Sequence, residues 1–376
     1  MPSPTAHGVV PTTLGIAGSR MNRIALFLPN WIGDVVMATP AVQAIRDKCP
    51  AAELIAVCKP YVADVLGGNP WLQETILLEK RGPHSQRMFS VTSKLRKKQI
   101  DASILFPNSF RPAAIAWLAG CRKIIGFVRY GRGFLLTNRL FAKTSPIGNF
   151  IPSPAIDDYN RLAQELGTDH PGFRMRLFTT SNDEASVDSI WKKFGLAKYP
   201  RIVTLNPGAA FGAAKHWPID SFSRLARMLT QRTGSGVLVL CGPGERDMAR
   251  QIAEGSRSPH AFSLHDVPLS LGLTKACIRR ADLLITTDSG PRHFAAAFDR
   301  PVVTLFGPTH IAWTETYYSK AIHLQKKVPC GPCQLRACPL DHRCMQELTP
   351  TEVFGAAQRL LSQYAAFDGR EAQSAA

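Results

Sequence analysis

Leu283-Leu284-Ile285-Thr286-Thr287-Asp288-Ser289-Gly290-Pro291-Arg292-His293 is an apolar, strand-like run that ends in small and acidic residues and then opens a helix. Far upstream, Asn30-Trp31-Ile32-Gly33-Asp34 follows the strand-like run Ile24–Leu28 and opens an apolar helix in the same way. In open parallel sheets, ligands sit beyond the carboxyl ends of strands and under the N-termini of the helices that follow. The downstream turn offers Ser-Gly backbone donors to an anion, with an Asp and a His beside them. The upstream turn offers one Asp after a flexible Gly. Two such turns in opposite halves predict two nucleotide-fold domains facing one cleft, one holding a phosphorylated donor and the other supplying a base.

The rest of the chain extends this pattern. Val35, Ala38, Val42 and Ile45 recur at steps of three and four, which puts them on one helical face. Leu54–Cys58, Thr75–Leu78 and Ala102–Phe106 read as further strands, and Asp157–Leu166 as a helix. Gly167, Pro171 and Gly172 break regularity and place a domain boundary near Thr168–Met175. Ile202–Leu205, Val237–Cys241, Leu283–Thr287 and Val302–Phe306 are strand-like in the second half, with helices over Phe222–Leu229, Leu271–Arg280 and Phe294–Phe298. Alternating strands and helices in both halves predict an α/β fold of two doubly wound domains. The expected divisions are a disordered extension at 1–20, a first domain at 21–170 and a second at 171–350. A C-terminal helix and tail at 351–376 would pack back across the junction.

The chain has 376 residues, 45% of them hydrophobic, enough for a full core in each of two domains. No apolar run approaches the ~18–20 residues needed to span a bilayer. Residues 1–20 are rich in Pro, Thr, Ser and Gly and make a poor export signal, and Met21 is a second candidate start. A cytoplasmic setting follows as the simplest expectation, and most of the scattered cysteines (Cys49, Cys58, Cys121, Cys241 and Cys277) sit in or beside apolar segments, as reduced thiols do. The net charge is +17 and the pI about 9.7. One reading of that charge is solubility. The sharper reading is an anionic partner: nucleic acid, a phosphorylated glycolipid or an anionic membrane surface. Arg111, Arg122, Lys123, Arg129, Arg132, Arg139 and Lys143 crowd one stretch, interleaved with Phe127, Tyr130 and Phe134. No nucleic-acid module is recognisable, so a basic groove for an acidic acceptor is the preferred expectation.

Several positions carry two readings. Asp34 is either a first-turn acid favoured by the helix dipole or, by the same physics, an ionised carboxylate ready to take a proton from a hydroxyl. Asn206-Pro207-Gly208-Ala209-Ala210-Phe211-Gly212-Ala213-Ala214-Lys215 joins a strand to a helix without a Walker ending. It is either an ordinary loop or a backbone cradle for phosphate, with Lys215 as a point charge. Gly242-Pro243-Gly244-Glu245 is a weak dinucleotide-like turn in which Glu245 either meets ribose hydroxyls or favours its helix N-terminus. Asp288, Ser289 and Gly290 either cap a helix or clamp a diphosphate and its sugar, and His293 either faces that pocket or satisfies a buried carbonyl. Cys330, Cys333, Cys338 and Cys344 fall within fifteen residues of one another, with His342 among them. A structural zinc site, an iron–sulfur ligand set and unliganded thiols all remain open, because the spacing matches no common finger.

Taken in order, these segments resemble glycosyltransferase family 9, the ADP-heptose:lipopolysaccharide heptosyltransferases. The likeness runs from Leu28-Pro29-Asn30-Trp31-Ile32-Gly33-Asp34 through Lys215-His216-Trp217-Pro218 and Asp288-Ser289-Gly290-Pro291-Arg292-His293 to Phe306-Gly307-Pro308-Thr309. The cysteine segment, with Cys338-Pro339, is similar to the type II subgroup. The resemblance implies a GT-B architecture, with an acceptor-binding first domain and a nucleotide-sugar-binding second domain. It implies inverting transfer of heptose from ADP-heptose to the phosphorylated lipid-A/Kdo inner core of lipopolysaccharide, with no cofactor required for catalysis. Such an enzyme would rest on the cytoplasmic face of the membrane and bind no nucleic acid. Asp34 would be the general base and Lys215 the diphosphate lysine. Gly208, Ala209, Glu245, Asp288, Ser289, Gly290 and His293 would complete the donor site. Asn30, Gly33, Arg111 and Arg129 are the candidate acceptor contacts. Arg292 and His216 depart from the family pattern, which commonly has an apolar residue and an arginine there. A nucleotide-sugar epimerase, a basic nucleic-acid-binding protein and a dinucleotide oxidoreductase are the alternatives. Turnover of donor without acceptor would mark the first, salt-sensitive binding without sugar chemistry the second, and a fuller Gly fingerprint the third.

Overall fold

The computed structural model describes residues 21–143 and 153–364; the expected extension at 1–20 and the end of the tail lie outside them. Twelve strands form two six-stranded sheets, and every pairing is parallel. The first sheet contains β1 (Arg23–Phe27), β2 (Glu53–Cys58), β3 (Glu74–Leu77), β4 (Ala102–Leu105), β5 (Lys123–Phe127) and β6 (Asn138–Leu140). The second contains β7 (Ile202–Asn206), β8 (Gly236–Val239), β9 (Ala261–Ser263), β10 (Leu283–Thr287), β11 (Val302–Phe306) and β12 (Ala321–Gln325). Their orders, β3-β2-β1-β4-β5-β6 and β12-β11-β10-β7-β8-β9, are the same doubly wound topology read in opposite directions. The strand order reverses between β1 and β4 and between β7 and β10, so the turns after β1, β7 and β10 sit at the switch points.

The central strands β4, β7, β10 and β11 are buried along their whole length, as parallel strands with helices on both faces must be. This explains why the continuous apolar runs were legible. The short strands β6 and β9 and the edge strand β12 were not expected from sequence. Each has one sheet neighbour, and β12 is only half-buried, which leaves little apolar pattern to read. Strand β5 lies inside the stretch read as cationic, its Ile124-Ile125 core hidden between charged flanks. Among the described residues no helix is long and apolar enough to cross a membrane.

The first domain ends with the helix Ala155–Gln164, and an irregular linker leads to the helix Ser181–Phe194, which packs on Leu271–Arg280. The helix Pro350–Gln363 is a corrected expectation. Its main contacts are with the helix Ile219–Thr233 and strands β10, β11 and β12, so it is packed as part of the second domain rather than across the junction. Its apolar residues Val353, Ala356, Ala357 and Leu360 are buried there.

The domains meet through specific ties. Lys275 is completely buried; its ammonium donates to the carbonyls of Val65 (3.2 Å) and Gly67 (3.1 Å) in the first domain and of Phe178 (2.9 Å) in the linker. Asp183 lies 3.7 Å from it. Tyr317 of the second domain donates to Asp157 of the first at 2.9 Å. Because Lys275 satisfies three buried carbonyls at once, Lys275→Met is expected to destabilise the protein by about 3–5 kcal/mol. Denaturant unfolding would measure this, and an unchanged midpoint would remove Lys275 from that role.

Candidate active site

The first lip of the cleft is built by β1. The chain leaves the strand at Trp31, half exposed, and enters the short helix Ile32–Met37, fixed by its buried residues Val35, Val36 and Met37. Asp34 lies in its first turn and is half-buried. A helix N-terminus by itself favours the ionised carboxylate. Burial outweighs that here and pushes the Asp34 carboxyl up to about 6, although a hydrogen bond with the Tyr159 hydroxyl works in the other direction. The expected easily ionised acid is therefore a stronger base than the sequence reading allowed. Tyr159 is a partner the sequence did not reveal. It sits on Ala155–Gln164 with its ring edge-on to Phe106 at 5.5 Å, and only the packing of that helix against the first domain brings it to Asp34.

The second lip comes from the turns after β7, β10 and β11. Asp288 is buried, and its Oδ2 accepts from the Lys215 ammonium and the Thr309 hydroxyl, both at 2.6 Å. Lys215 also donates to the Asp288 carbonyl at 2.8 Å and lies over the Phe211 ring. On the other side of the carboxylate, Arg292 Nε is 3.9 Å from Oδ1. Burial would raise the Asp288 carboxyl, but the charges of Arg292 and Lys215 and their hydrogen-bonding company outweigh it and hold it below its ordinary value. One buried carboxylate thus faces two cations, and the pocket keeps a positive excess for an incoming anion. Ser289 and Gly290 begin the helix Pro291–Ala297; the Ser289 hydroxyl is tied to Asn206 (3.0 Å) and Thr286 (3.1 Å).

The two lips touch. A Cβ added to Gly33 would lie 2.8 Å from His293 Cδ2, and one added to Gly290 would lie 3.0 Å from the Ile32 side chain. His293 is buried, accepts from Arg292 Nε at 3.1 Å, and is kept neutral by burial and then by the charges of Arg292, His323 and Lys215. It packs against the turn bearing Asp34 rather than standing free in the pocket. Gly208 and Glu245 also meet: Glu245 Oε1 lies 2.0 Å from where a Gly208 Cβ would be, so a side chain there would displace the Glu245 carboxylate, and Ala209 beside it is buried. The Glu245 carboxylate accepts from the Gly242 amide at 2.8 Å, which makes it a loop-bracing group as well as a candidate ribose contact.

The candidate acceptor residues occupy the first lip and its neighbours. Asn30 is exposed, its carbonyl accepting from the Tyr61 hydroxyl, while Arg111, in the first turn of the helix Phe110–Leu118, and Arg129, in the turn after β5, are half-buried. Arg132 corrects the cationic reading. It is fully buried and donates to the carbonyls of Phe127 (3.0 Å), Ser109 (3.0 Å) and Pro107 and to Asn108, so it clamps two loops and presents no charge to solvent.

The cysteine segment, for which a metal knuckle was one expectation, has a structural task of its own. Among the described residues no three His, Cys, Asp or Glu side chains are gathered as a metal site, and Cys330, Cys333, Cys338 and Cys344 are all free thiols. Instead His342 Nε2 hydrogen-bonds the Ala214 carbonyl at 2.7 Å, and the Arg336 carbonyl accepts from the Ala214 amide at 3.0 Å. The Arg336 carbonyl would lie 2.3 Å from a Gly212 Cβ, and Met345 Sδ 2.6 Å from a Gly307 Cβ. The segment therefore buttresses the loops that hold Lys215 and Thr309.

Arg292 carries a direct test. Its charge shares Asp288 with Lys215, so Arg292→Met should leave Lys215 more tightly held by Asp288 and less available to an anion. Weaker ADP binding, of about tenfold, is the expected result for the loss of one desolvated charge contact; calorimetric titration would read it, and unchanged affinity would contradict the shared-carboxylate account.

The sequence model for glycosyltransferase family 9 (heptosyltransferase) matches residues 88–343. The chain is 26% identical over 348 residues to lipooligosaccharide heptosyltransferase 2 of Campylobacter jejuni, covering 90% of this chain and 98% of that protein. It is similar in fold to the E. coli ADP-heptose lps heptosyltransferase II structure, with TM-score 0.72, 23% identity, and coverage of 92% of this chain and 100% of that one. It is also similar to E. coli heptosyltransferase WaaC with ADP-2-deoxy-2-fluoro heptose, with TM-score 0.66, 19% identity, and coverage of 90% and 99%.

Proposed function

The chain belongs to glycosyltransferase family 9, and from that premise we propose that it transfers heptose from ADP-heptose to the inner core of lipopolysaccharide with inversion at the anomeric carbon. The observation that supports this reading is the contact at Gly33, Gly290 and His293, which brings the turn bearing Asp34 against the helix that follows Asp288, the partner of Lys215. An acceptor hydroxyl placed at Asp34 gives its proton to the carboxylate as its oxygen forms the new bond to the anomeric carbon. The bond from that carbon to the diphosphate breaks on the opposite face, and ADP leaves with the electron pair. Developing charge on the diphosphate is met by Lys215 and by the backbone donors at Ser289 and Gly290. These groups supply the stabilisation that a divalent ion supplies elsewhere, so the transfer proceeds without one. Arg111 and Arg129 favour an acceptor bearing phosphate or carboxylate groups.

The test is a donor screen with ADP- and UDP-linked sugars, following nucleotide release with and without a lipid-A-core acceptor. Release from ADP-heptose that depends on acceptor is expected. Release without acceptor, or preference for a UDP-sugar, would overturn the assignment.

A further inference from the structure

All six strands of the first sheet run parallel, so the segments leaving their carboxyl ends share one edge of the domain, the edge that bears Asp34. That edge is fringed with exposed rings. Phe110 follows β4, Tyr130 and Phe134 follow β5, and Phe141 follows β6; they are 47%, 80%, 70% and 65% exposed. Phe110 and Phe134 form a tilted pair at 6.3 Å. Cations interleave them at Arg111, Arg129 and Lys143.

These rings are held outward by construction. Tyr130 and Gly131 both take left-handed backbone, at φ 49° and 74°, in a tight turn between Arg129 and Gly133. The buried Arg132 fastens that turn to the loop after β4. Tyr130 and Phe134 therefore project from a braced turn into solvent. Several rings exposed on one edge exceed what a soluble surface carries without a partner. Rings at an interface flanked by cations match the layer where a bilayer's apolar interior meets anionic headgroups. A second copy of this chain would bring two like-charged edges together, which the net charge of +17 opposes.

We infer that this edge of the first domain docks on an anionic lipid surface, with Phe110, Tyr130, Phe134 and Phe141 entering the interfacial layer and Arg111 and Lys143 facing headgroups. The inference rests on the proposed transfer to a lipid-linked acceptor, because β4 neighbours β1 and the docked edge would run directly to Asp34. The acceptor's sugar would then meet the carboxylate without leaving the membrane surface.

The test is flotation of the full chain with vesicles of mixed phosphatidylcholine and phosphatidylglycerol, against vesicles of phosphatidylcholine alone. Binding to the anionic vesicles is expected, weakened by salt. Tyr130→Ser/Phe134→Ser should weaken it by roughly tenfold or more, since both rings leave the interface. Trp117→Ser, which changes an exposed ring at the far end of its helix, should bind as the unchanged protein does. A Tyr130→Trp variant should shift its emission to the blue when anionic vesicles are added. No binding at low salt, equal binding by the double variant, or an equal loss in Trp117→Ser would each overturn the docking edge. Transfer to a water-soluble, deacylated acceptor reads the catalytic assignment separately. If it proceeds while vesicles are not bound, the docking inference alone fails; if vesicles are bound and no acceptor is glycosylated, the proposed function fails.

Discussion

Asp34→Asn is expected to lower the transfer rate by about 10²–10⁴-fold, the contribution of a positioned general base, while ADP binding stays near that of the unchanged protein. The same substitution should stabilise the fold at neutral pH. Burial raises the Asp34 carboxyl from 3.8 to about 6, so the folded protein binds that proton more tightly than the unfolded chain does. Its stabilising contribution is complete below the unfolded value and is lost as pH rises through about 6. Above that range the folded chain carries a half-buried, poorly hydrated carboxylate, at a cost of at most about 3 kcal/mol. Asparagine keeps the shape and removes the charge. Thermal unfolding at pH 8 should therefore show the variant more stable, with the difference shrinking toward pH 4. In the unchanged protein kcat/KM should rise through about pH 6 and level off above it, because only the ionised Asp34 accepts a proton. Substantial turnover by the variant, or a flat profile across that range, would take Asp34 out of the base role.

Lys215→Ala should damage both catalysis and stability, for separable reasons. The ammonium is the charge proposed to meet the diphosphate, and losing such a group costs about 10²–10³-fold in rate. It is also the 2.6 Å partner of a buried carboxylate. Removing one member of a buried pair costs about 3–5 kcal/mol, since the other is left uncompensated; here Arg292 at 3.9 Å and the Thr309 hydroxyl retain part of the balance. Lys215→Met/Asp288→Asn provides the separation. Removing both charges should recover part of the lost stability, since Arg292 then loses its share of Asp288, and none of the lost transfer. If the double variant regains activity along with stability, Lys215 acts only through the fold. If Lys215→Ala leaves ADP affinity unchanged, the diphosphate contact is wrong.

The buttress beneath Lys215 is work that the residue types of the cysteine segment do not announce. Four cysteines and a histidine in a short span suggest ligands by residue type alone. Their placement depends on where two distant loops cross, and there His342 and Arg336 hold Ala214. Tyr159 is similar: nothing in Asp157-Asp158-Tyr159 announces a partner for a carboxylate more than a hundred residues earlier.

The alternation of strand and helix, the two switch-point turns and the residues that stand in them were legible in the order of residues alone. Buried parallel strands require continuous apolar runs, and the turns that follow require small residues, so both leave a local trace. Edge strands, the seat of the last helix and the state of charged groups leave none. It took the packed fold to make burial outweigh a helix end at Asp34, to share Asp288 between Lys215 and Arg292, and to make Arg132 a clamp. Each of those outcomes depends on which remote groups displace water around a charge, and desolvation is a property of the assembled fold, not of neighbours in the chain.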